Sequence, residues 1–252
     1  MKGKIISLEV SFPYLGDELL EAIKSKMSIA FGYKLKVDRL GRTYIIFSTS
    51  FDRALNKYFN TDISTGIIAI DINFGHIDLT NIDSNGNLID YKTINYKITN
   101  SSKENETSLR KAICEVGNYI KTNNKILAKE NLNLQKLKDK CKYQRKDYNK
   151  MLHFFPFAKI EEFLNNEACK NNFSIINVDP SYTSIIGKYK YANNKKLNSH
   201  IAASYVIGRR ALRYKEKIPK DLKALLPNNK KTYDLNYKWV YINRELKKLN
   251  KI

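Results

Sequence analysis

The chain has 252 residues, of which 45 are Lys or Arg and 25 are Asp or Glu, so its formal net charge is +20. This length, with 42% hydrophobic residues, is enough to build a core, which excludes a disordered basic tail. No apolar run approaches the roughly 18 residues that a membrane-spanning helix needs, and the first residues are unlike a secretory signal. We therefore expect a soluble cytoplasmic protein with no membrane partner.

The cysteines argue against a disulfide framework. Cys114, Cys141 and Cys169 are odd in number and widely spaced, which favours a reducing compartment. No Cys-X-X-Cys pair is present, so we expect no zinc ribbon and no zinc cofactor.

The excess of positive charge points to a partner. Folded proteins with such a balance most often bind a polyanion, and we expect nucleic acid in preference to a membrane surface, with the protein associated with the nucleoid. The plainer alternative is a solvated lysine-rich surface with no partner.

Residues 1–62 are predicted to form a short β-rich lead-in. Apolar and polar residues alternate over residues 6–12 and 44–48, as in strands with one buried face. One helix is predicted between them from four apolar residues at helical spacing: Leu19, Leu20, Ile23 and Met27. The segment is too short to be an independent domain of much stability.

Three strands are predicted next. A continuous apolar run begins at Gly66, which is typical of a strand buried on both faces, and Asp71 lies near its end. Two further strands are predicted over residues 76–82 and 88–94, and the Asn-Gly turn between them marks a β-hairpin. We expect all three strands to be antiparallel.

Helices and strands then alternate. The first helix has one apolar stripe, formed by Leu109, Ile113, Val116 and Ile120. A fourth strand over residues 125–129 runs directly into Glu130, and a fifth over residues 173–178 ends at Asp179. A helix containing Phe157, Ile160, Phe163 and Leu164 separates these two strands, and a small-residue helix over residues 201–210 follows the fifth.

The predicted order β-β-β-α-β-α-β-α indicates the fold class. It is the plan of α/β ribonuclease H-like folds, in which a mixed sheet is flanked by helices. We therefore assign residues 1–62 to the β-rich lead-in, residues 63–226 to a ribonuclease H-like domain, and residues 227–252 to a basic C-terminal tail.

Two acidic residues at strand ends are the predicted metal ligands, Asp71 and Glu130. Phosphodiester cleavage by two Mg²⁺ or Mn²⁺ ions needs carboxylates held close together, because these ions take oxygen ligands. Each residue also has a plainer interpretation. Asp71 would then be a turn or cap residue, and Glu130 one more solvated carboxylate.

The third residue of the catalytic set is harder to assign from the sequence. His200, just before the small-residue helix, is the candidate catalytic residue by position, although a lone His near a helix start is more often a cap or core residue. Asp179 is the substitute, or else a turn residue before Pro180. Asn73 and His76 are the predicted supporting residues, with an exposed strand residue as the plainer interpretation of His76.

Basic and aromatic residues are interleaved in two stretches, which place charges for phosphates beside rings that stack on bases. Such runs are usually solvated helix faces, but these two flank the candidate metal edge. The predicted nucleic-acid contacts are Lys138, Lys142, Tyr143, Arg145, Lys188, Lys190, Arg209 and Arg210.

Four blocks of the sequence resemble, in order, the RuvC-like domain of TnpB proteins, which are encoded by insertion sequences and are relatives of type V CRISPR effectors. The blocks are Ile68-Ala-Ile-Asp-Ile-Asn, Ala128-Lys-Glu-Asn-Leu-Asn, Ile176-Asn-Val-Asp-Pro-Ser-Tyr-Thr-Ser-Ile-Ile-Gly-Lys and His200-Ile-Ala-Ala-Ser-Tyr-Val-Ile-Gly-Arg-Arg-Ala-Leu. The resemblance covers about residues 60–226 and is nearest to the TnpB-related accessory branch.

The resemblance implies a metal-dependent DNA endonuclease that uses Mg²⁺ or Mn²⁺ and is RNA-guided in the active family members. Asp71 and Glu130 match two of the family's catalytic acids. The last acid of the family falls at about Ser199, and His200 is the residue that would replace it. The lead-in matches only the end of the family's N-terminal guide-binding part, a remnant of a wedge-like domain.

Two further hypotheses compete with a nuclease that cuts DNA by metal-activated water. One is a non-catalytic nucleic-acid-binding accessory or regulatory protein of the transposon, which keeps the fold and binds DNA or guide RNA. The other is a decaying fragment of a transposon gene. Asp71 and Glu130 together favour the nuclease, whereas the missing third acid favours the alternatives.

Overall fold

The computed structural model describes residues 31–49, 60–131, 157–227 and 234–250, together with the single positions Gly16 and Leu20. The chain divides into two compact units, Met1–Tyr58 and Phe59–Ile252. Apart from Leu20, the predicted lead-in helix and the strand predicted over residues 6–12 lie outside the described residues. In the part of the chain that the structure describes, no helix is both long and apolar enough to cross a membrane.

The described part of the first unit is a β-hairpin of β1 (Phe31–Val37) and β2 (Thr43–Thr49). The strands pair in antiparallel register from Phe31 opposite Thr49 to Val37 opposite Thr43. Asp38 closes the turn, because its Oδ1 accepts hydrogen bonds from the backbone N–H groups of Leu40 (2.8 Å) and Arg42 (2.9 Å). The predicted β-rich character of the lead-in is therefore found in this hairpin.

The second unit is built on a five-stranded mixed sheet with the order β5-β4-β3-β6-β7. Its strands are β3 (Ile67–Asn73), β4 (His76–Ile82), β5 (Leu88–Asn95), β6 (Ile126–Glu130) and β7 (Ile175–Val178). β3, β4 and β5 pair in antiparallel fashion, whereas β6 and β7 run parallel to β3. The predicted antiparallel start and the predicted α/β mixed sheet are confirmed.

Helices connect and follow these strands. They are α1 (Ser102–Asn123), α2 (Phe157–Asn171), α3 (Thr183–Ile186), a π-helical turn (Gly187–Ala192), α4 (Asn193–Lys195), α5 (Ser199–Ala211), α6 (Lys220–Lys223) and α7 (Leu235–Asn250). α1 begins where the Ser101 side chain accepts a hydrogen bond from the Glu104 N–H, and it ends at Asn124 in the left-handed conformation.

The two faces of the sheet carry different helices. Because side chains alternate along a strand, Ile68 and Ile70 of β3 pack with α1 and α2, whereas Ile67 and Ala69 pack with α5. Both faces are therefore covered, and the central strand is apolar on both sides for most of its length.

α5 lies very close to the sheet. A Cβ atom placed on Gly208 would come within 2.2 Å of Ile82 Cδ1 and 2.9 Å of Ala69 Cβ, so only glycine fits there. One turn earlier, the buried Ser204 hydroxyl donates to the Ala69 carbonyl (2.8 Å) and lies 3.0 Å from Thr80 Oγ1. These contacts fix α5 on the sheet.

The segment predicted as a basic tail, residues 227–252, contains the 16-residue helix α7. Trp239 and Ile242 of α7 are 2% and 0% exposed and belong to the core beside α5. The Trp239 indole N–H donates to the Glu216 carbonyl at 3.0 Å. The prediction of a basic tail rested on the lysines and did not take account of the helical spacing of these apolar residues.

Candidate metal and catalytic site

The register of β3 and β6 brings Asp71 and Glu130 to the same edge of the sheet. Ile70 is paired with Lys129, so Asp71 and Glu130 follow side by side on two parallel strands. Both alternate with residues that pack against α5, Ala69 and Ala128, and their side chains therefore lie on that face. The two carboxylates predicted from the sequence are thus brought together.

Glu130 is an enclosed carboxylate with few compensating contacts. Burial raises its pKa to about 7, and the charge of Asp71 adds to this shift. The Thr183 hydroxyl, which donates a hydrogen bond to Glu130 Oε1, and the charge of Arg210 act in the opposite direction. A carboxylate in this state is costly to ionise unless a cation binds nearby.

His200 lies in the first turn of α5, beside Asp71. Its Nδ1 is 3.4 Å from Asp71 Oδ2, and the hydrogen bond that the imidazole donates to Asp71 raises the pKa of His200, although burial acts against it. The cap of α5 is Asn198, whose Oδ1 accepts from the Ile201 N–H at 2.7 Å, and the His200 side chain is 48% exposed. His200 is therefore neither the cap nor a core residue.

Asn73 and Asp179, the other predicted members, have different surroundings. The Asn73 amide donates to Asp71 Oδ2 at 3.0 Å, so it holds one of the candidate ligands. Asp179 is exposed, and its Oδ1 accepts from the Ser181 N–H (3.0 Å) and hydroxyl (2.7 Å), which lowers its pKa. These contacts favour the turn interpretation for Asp179.

Asp78, which was not predicted as a site residue, lies directly opposite Asp71 on β4. Its side chain is fully buried; Oδ1 accepts from the Thr93 hydroxyl at 2.6 Å, and Oδ2 lies 3.2 Å from Nε2 of His76. The rings of His76 and His200 meet edge-on, 5.1 Å apart. The tight turn that pairs Asn73 with His76 was the available signal, because strand alternation then places Asp78 beside Asp71.

The predicted nucleic-acid contacts divide into three groups. Lys138, Lys142, Tyr143 and Arg145 lie outside the described residues. Lys188 is exposed, with its ammonium 5.3 Å from the centre of the Tyr189 ring. Arg210 donates to the backbone carbonyls of Asp179 and Ser181, next to Glu130.

Lys190 and Arg209 form the third group and differ from the prediction. Both bind the buried carboxylate of Glu216, Lys190 through Nζ and Arg209 through Nε at 2.8 Å. Arg209 Nη1 also donates to the Gly86 carbonyl at 2.6 Å. Because their charges are used inside the protein, these contacts favour a structural role over the predicted binding of phosphate.

Comparison with known proteins adds no assignment: no protein-family model matches the chain, and no curated protein matches it in sequence.

The donor set nevertheless fits a divalent cation. Asp71 and Glu130 supply two carboxylates from neighbouring positions on one face of the sheet, and the raised pKa of Glu130 indicates that its charge is compensated only in part. His200 adds an imidazole at the same edge.

Proposed function

We propose that this protein is a divalent-metal-dependent nuclease of the ribonuclease H-like, RuvC type, which cuts DNA phosphodiesters. The observation that carries the proposal is the side-by-side position of Asp71 and Glu130 at the ends of parallel strands, with the pKa of Glu130 raised to about 7. The sheet order, with an antiparallel three-stranded half and a parallel half, supports this fold assignment.

Each nearby residue has a role in this proposal. Asp71 and Glu130 would hold Mg²⁺ or Mn²⁺, which when bound would neutralise charge on the phosphodiester and lower the pKa of water. Asn73 fixes the orientation of the Asp71 carboxylate, and Thr183 does the same for Glu130. His200, whose pKa is raised by Asp71, accepts a proton at the exposed side of the site.

The net charge of +20 supports a polyanionic substrate. The exposed Lys188 beside Tyr189 offers an ammonium group and a ring for a strand leaving the site. The resemblance to TnpB proteins extends the proposal to a transposon-derived, nucleoid-associated enzyme whose DNA target is selected with a guide RNA.

A cleavage assay tests the proposal. The whole chain is incubated with supercoiled plasmid, single-stranded DNA or RNA in Mg²⁺, Mn²⁺ or EDTA. We expect metal-dependent cleavage of DNA, reduced at least about 100-fold by Asp71→Asn or Glu130→Gln, because loss of a ligand exceeds the effect of losing a supporting contact. Glu162→Gln is the matched control, since it removes an exposed carboxylate paired with Lys159 on α2. Cleavage that persists unchanged in Asp71→Asn contradicts the proposal.

The second candidate is a nucleic-acid-binding accessory protein without catalysis. It is favoured by Ser199, the residue at which the third acid of the resembled family falls, because a hydroxyl does not replace a carboxylate as a metal ligand. Wild type and Asp71→Asn that bind DNA with the same salt dependence, and neither of which cuts it, would establish this candidate.

A further inference from the structure

A second group of possible ligands lies beside the carboxylate pair. His76, Asp78 and His200 each offer one ligand atom, and these atoms all lie within 4.8 Å of one another. In a tetrahedral site with bonds near 2.1 Å, ligand atoms are about 3.3 Å apart. His76 Nε2 and Asp78 Oδ2 already lie 3.2 Å apart, and the half-exposed His200 ring supplies the third ligand atom.

Asp78 Oδ2 gives this group an independent indication of a ligand. The oxygen is fully buried, and among the residues that the structure describes none makes a well-aligned hydrogen bond to it, although His76 Nε2 lies 3.2 Å away. The other oxygen, Oδ1, is held by the Thr93 hydroxyl, so the carboxylate is fixed with Oδ2 directed at His76. A buried carboxylate oxygen without a donor costs free energy, which a cation bound between Oδ2 and the imidazole would recover.

Neighbouring groups orient these ligands as in protein metal sites. Metal-binding histidines usually donate their second ring N–H to a carboxylate or carbonyl, which fixes the ring. His200 has such a partner, because its Nδ1 lies 3.4 Å from Asp71 Oδ2. The second nitrogen of the ring, Nε2, then carries the lone pair.

We propose that His76, Asp78 and His200 form a binding site for a divalent first-row transition ion of the Zn²⁺ or Co²⁺ type. Two imidazoles with one carboxylate suit these ions, whereas Mg²⁺ prefers oxygen ligands and retains water. The inference does not depend on nuclease activity, and Glu130 is not one of the ligands. It departs from the expectation of no zinc cofactor, which was drawn from the cysteines, because here two histidines and an aspartate supply the ligands.

Cobalt is the probe, because tetrahedral Co²⁺ bound through nitrogen gives a visible absorption band. The whole chain, freed of metal, is titrated with Co²⁺ and then with Zn²⁺ as competitor. The variants are His76→Gln, Asp78→Asn and Glu130→Gln, and His153→Gln is the matched control that removes the remaining histidine of the chain. Circular dichroism in EDTA checks that each variant folds. If Asp78→Asn does not fold because its side chain is buried, His76→Gln still tests the site.

The expected result is a visible band that saturates at one tetrahedral Co²⁺ per chain and is displaced by Zn²⁺ but not by millimolar Mg²⁺. His76→Gln should weaken binding at least about tenfold, as expected for loss of a ligand, whereas the control His153→Gln should leave the Kd within about threefold. No Co²⁺ band, an unchanged Kd in His76→Gln, or a band lost in Glu130→Gln but kept in His76→Gln would overturn the inference. In the last case the proposed nuclease site would still stand; conversely, Co²⁺ binding without any DNA cleavage would leave this inference intact.

Discussion

Two glutamates of the second unit are largely enclosed by the protein, but their surroundings differ. Burial alone would raise the pKa of Glu216, yet hydrogen bonds from Lys190 and Tyr191 and the charge of Lys190 hold it below its ordinary value, with a further contribution from Arg209. Burial raises the pKa of Glu130 to about 7, and the charge of Asp71 adds to this shift, because the hydrogen bond from the Thr183 hydroxyl and the charge of Arg210 offset it only in part.

This difference distinguishes a structural carboxylate from a candidate binding site. The protein itself compensates the charge of Glu216, so no bound cation is needed there. The charge of Glu130 is compensated only in part, so its ionised form is favoured when a cation binds. An enclosed carboxylate with too few donors is therefore a better indication of a binding site than burial alone.

Removal of each carboxylate is the strongest test of this contrast. Glu216→Gln should lower the free energy of unfolding by about 3–5 kcal/mol, because it leaves the enclosed charges of Lys190 and Arg209 without a carboxylate. Glu130→Gln should instead raise the free energy of unfolding in EDTA at pH 7.5, because a charge that the protein compensates only in part is removed. Urea denaturation of both variants measures the two effects. Similar losses of stability would contradict the proposed difference between Glu216 and Glu130.

The pH dependence of stability should identify Glu130 as the uncompensated group. Its pKa is raised from 4.5 to about 7 on folding, so its ionisation costs nothing below pH 4.5 and costs more as the pH rises to about 7. Relative to Glu130→Gln, wild type should lose up to about 3 kcal/mol of stability between pH 4.5 and pH 8 in EDTA. Denaturation at several pH values measures this; a difference that stays constant with pH contradicts the raised pKa.

Arg210 should give the smallest effect. Its guanidinium donates to Asp179 and Ser181, so Arg210→Gln should cost about 1 kcal/mol in unfolding free energy. Its charge also lowers the pKa of Glu130, so the variant should move the pH transition described above to a higher pH. Lys188→Gln, which removes an exposed lysine from the π-helical turn, is the control and should leave the transition in place.

Much of the sheet was predictable because its signals are local. The apolar run at β3, the Asn-Gly turn between β4 and β5, and the short strand before Glu130 follow from residue type and alternation alone. Asp71 and Glu130 could be selected for the same reason, since each comes at the end of such a strand. Their position on the same face of the sheet then follows from the alternation of side chains along two paired parallel strands.

Other features depend on contacts between distant residues. Asp78 stands within an alternating strand like any exposed acid, and its burial follows only from its place under the start of α5 and beside Thr93. Lys190 and Arg209 looked like phosphate ligands because their shared partner, Glu216, lies 26 and 7 residues away in sequence. α7 was not predicted because the lysines of residues 227–252 were interpreted as a basic tail, although apolar residues such as Trp239 and Ile242 recur at helical spacing.

The anchoring of α5 by Ser204 and Gly208 has a consequence for insertions and deletions. His200 precedes Ser204 by four residues, about one helical turn, so its position over β3 is set by counting back from a fixed point on the sheet. One residue inserted between His200 and Ser204 would turn the imidazole by about 100° around the helix axis, away from Asp71 and Asp78. One residue inserted before Asn198 would leave the histidine in place, so the site tolerates changes of chain length on one side of His200 only.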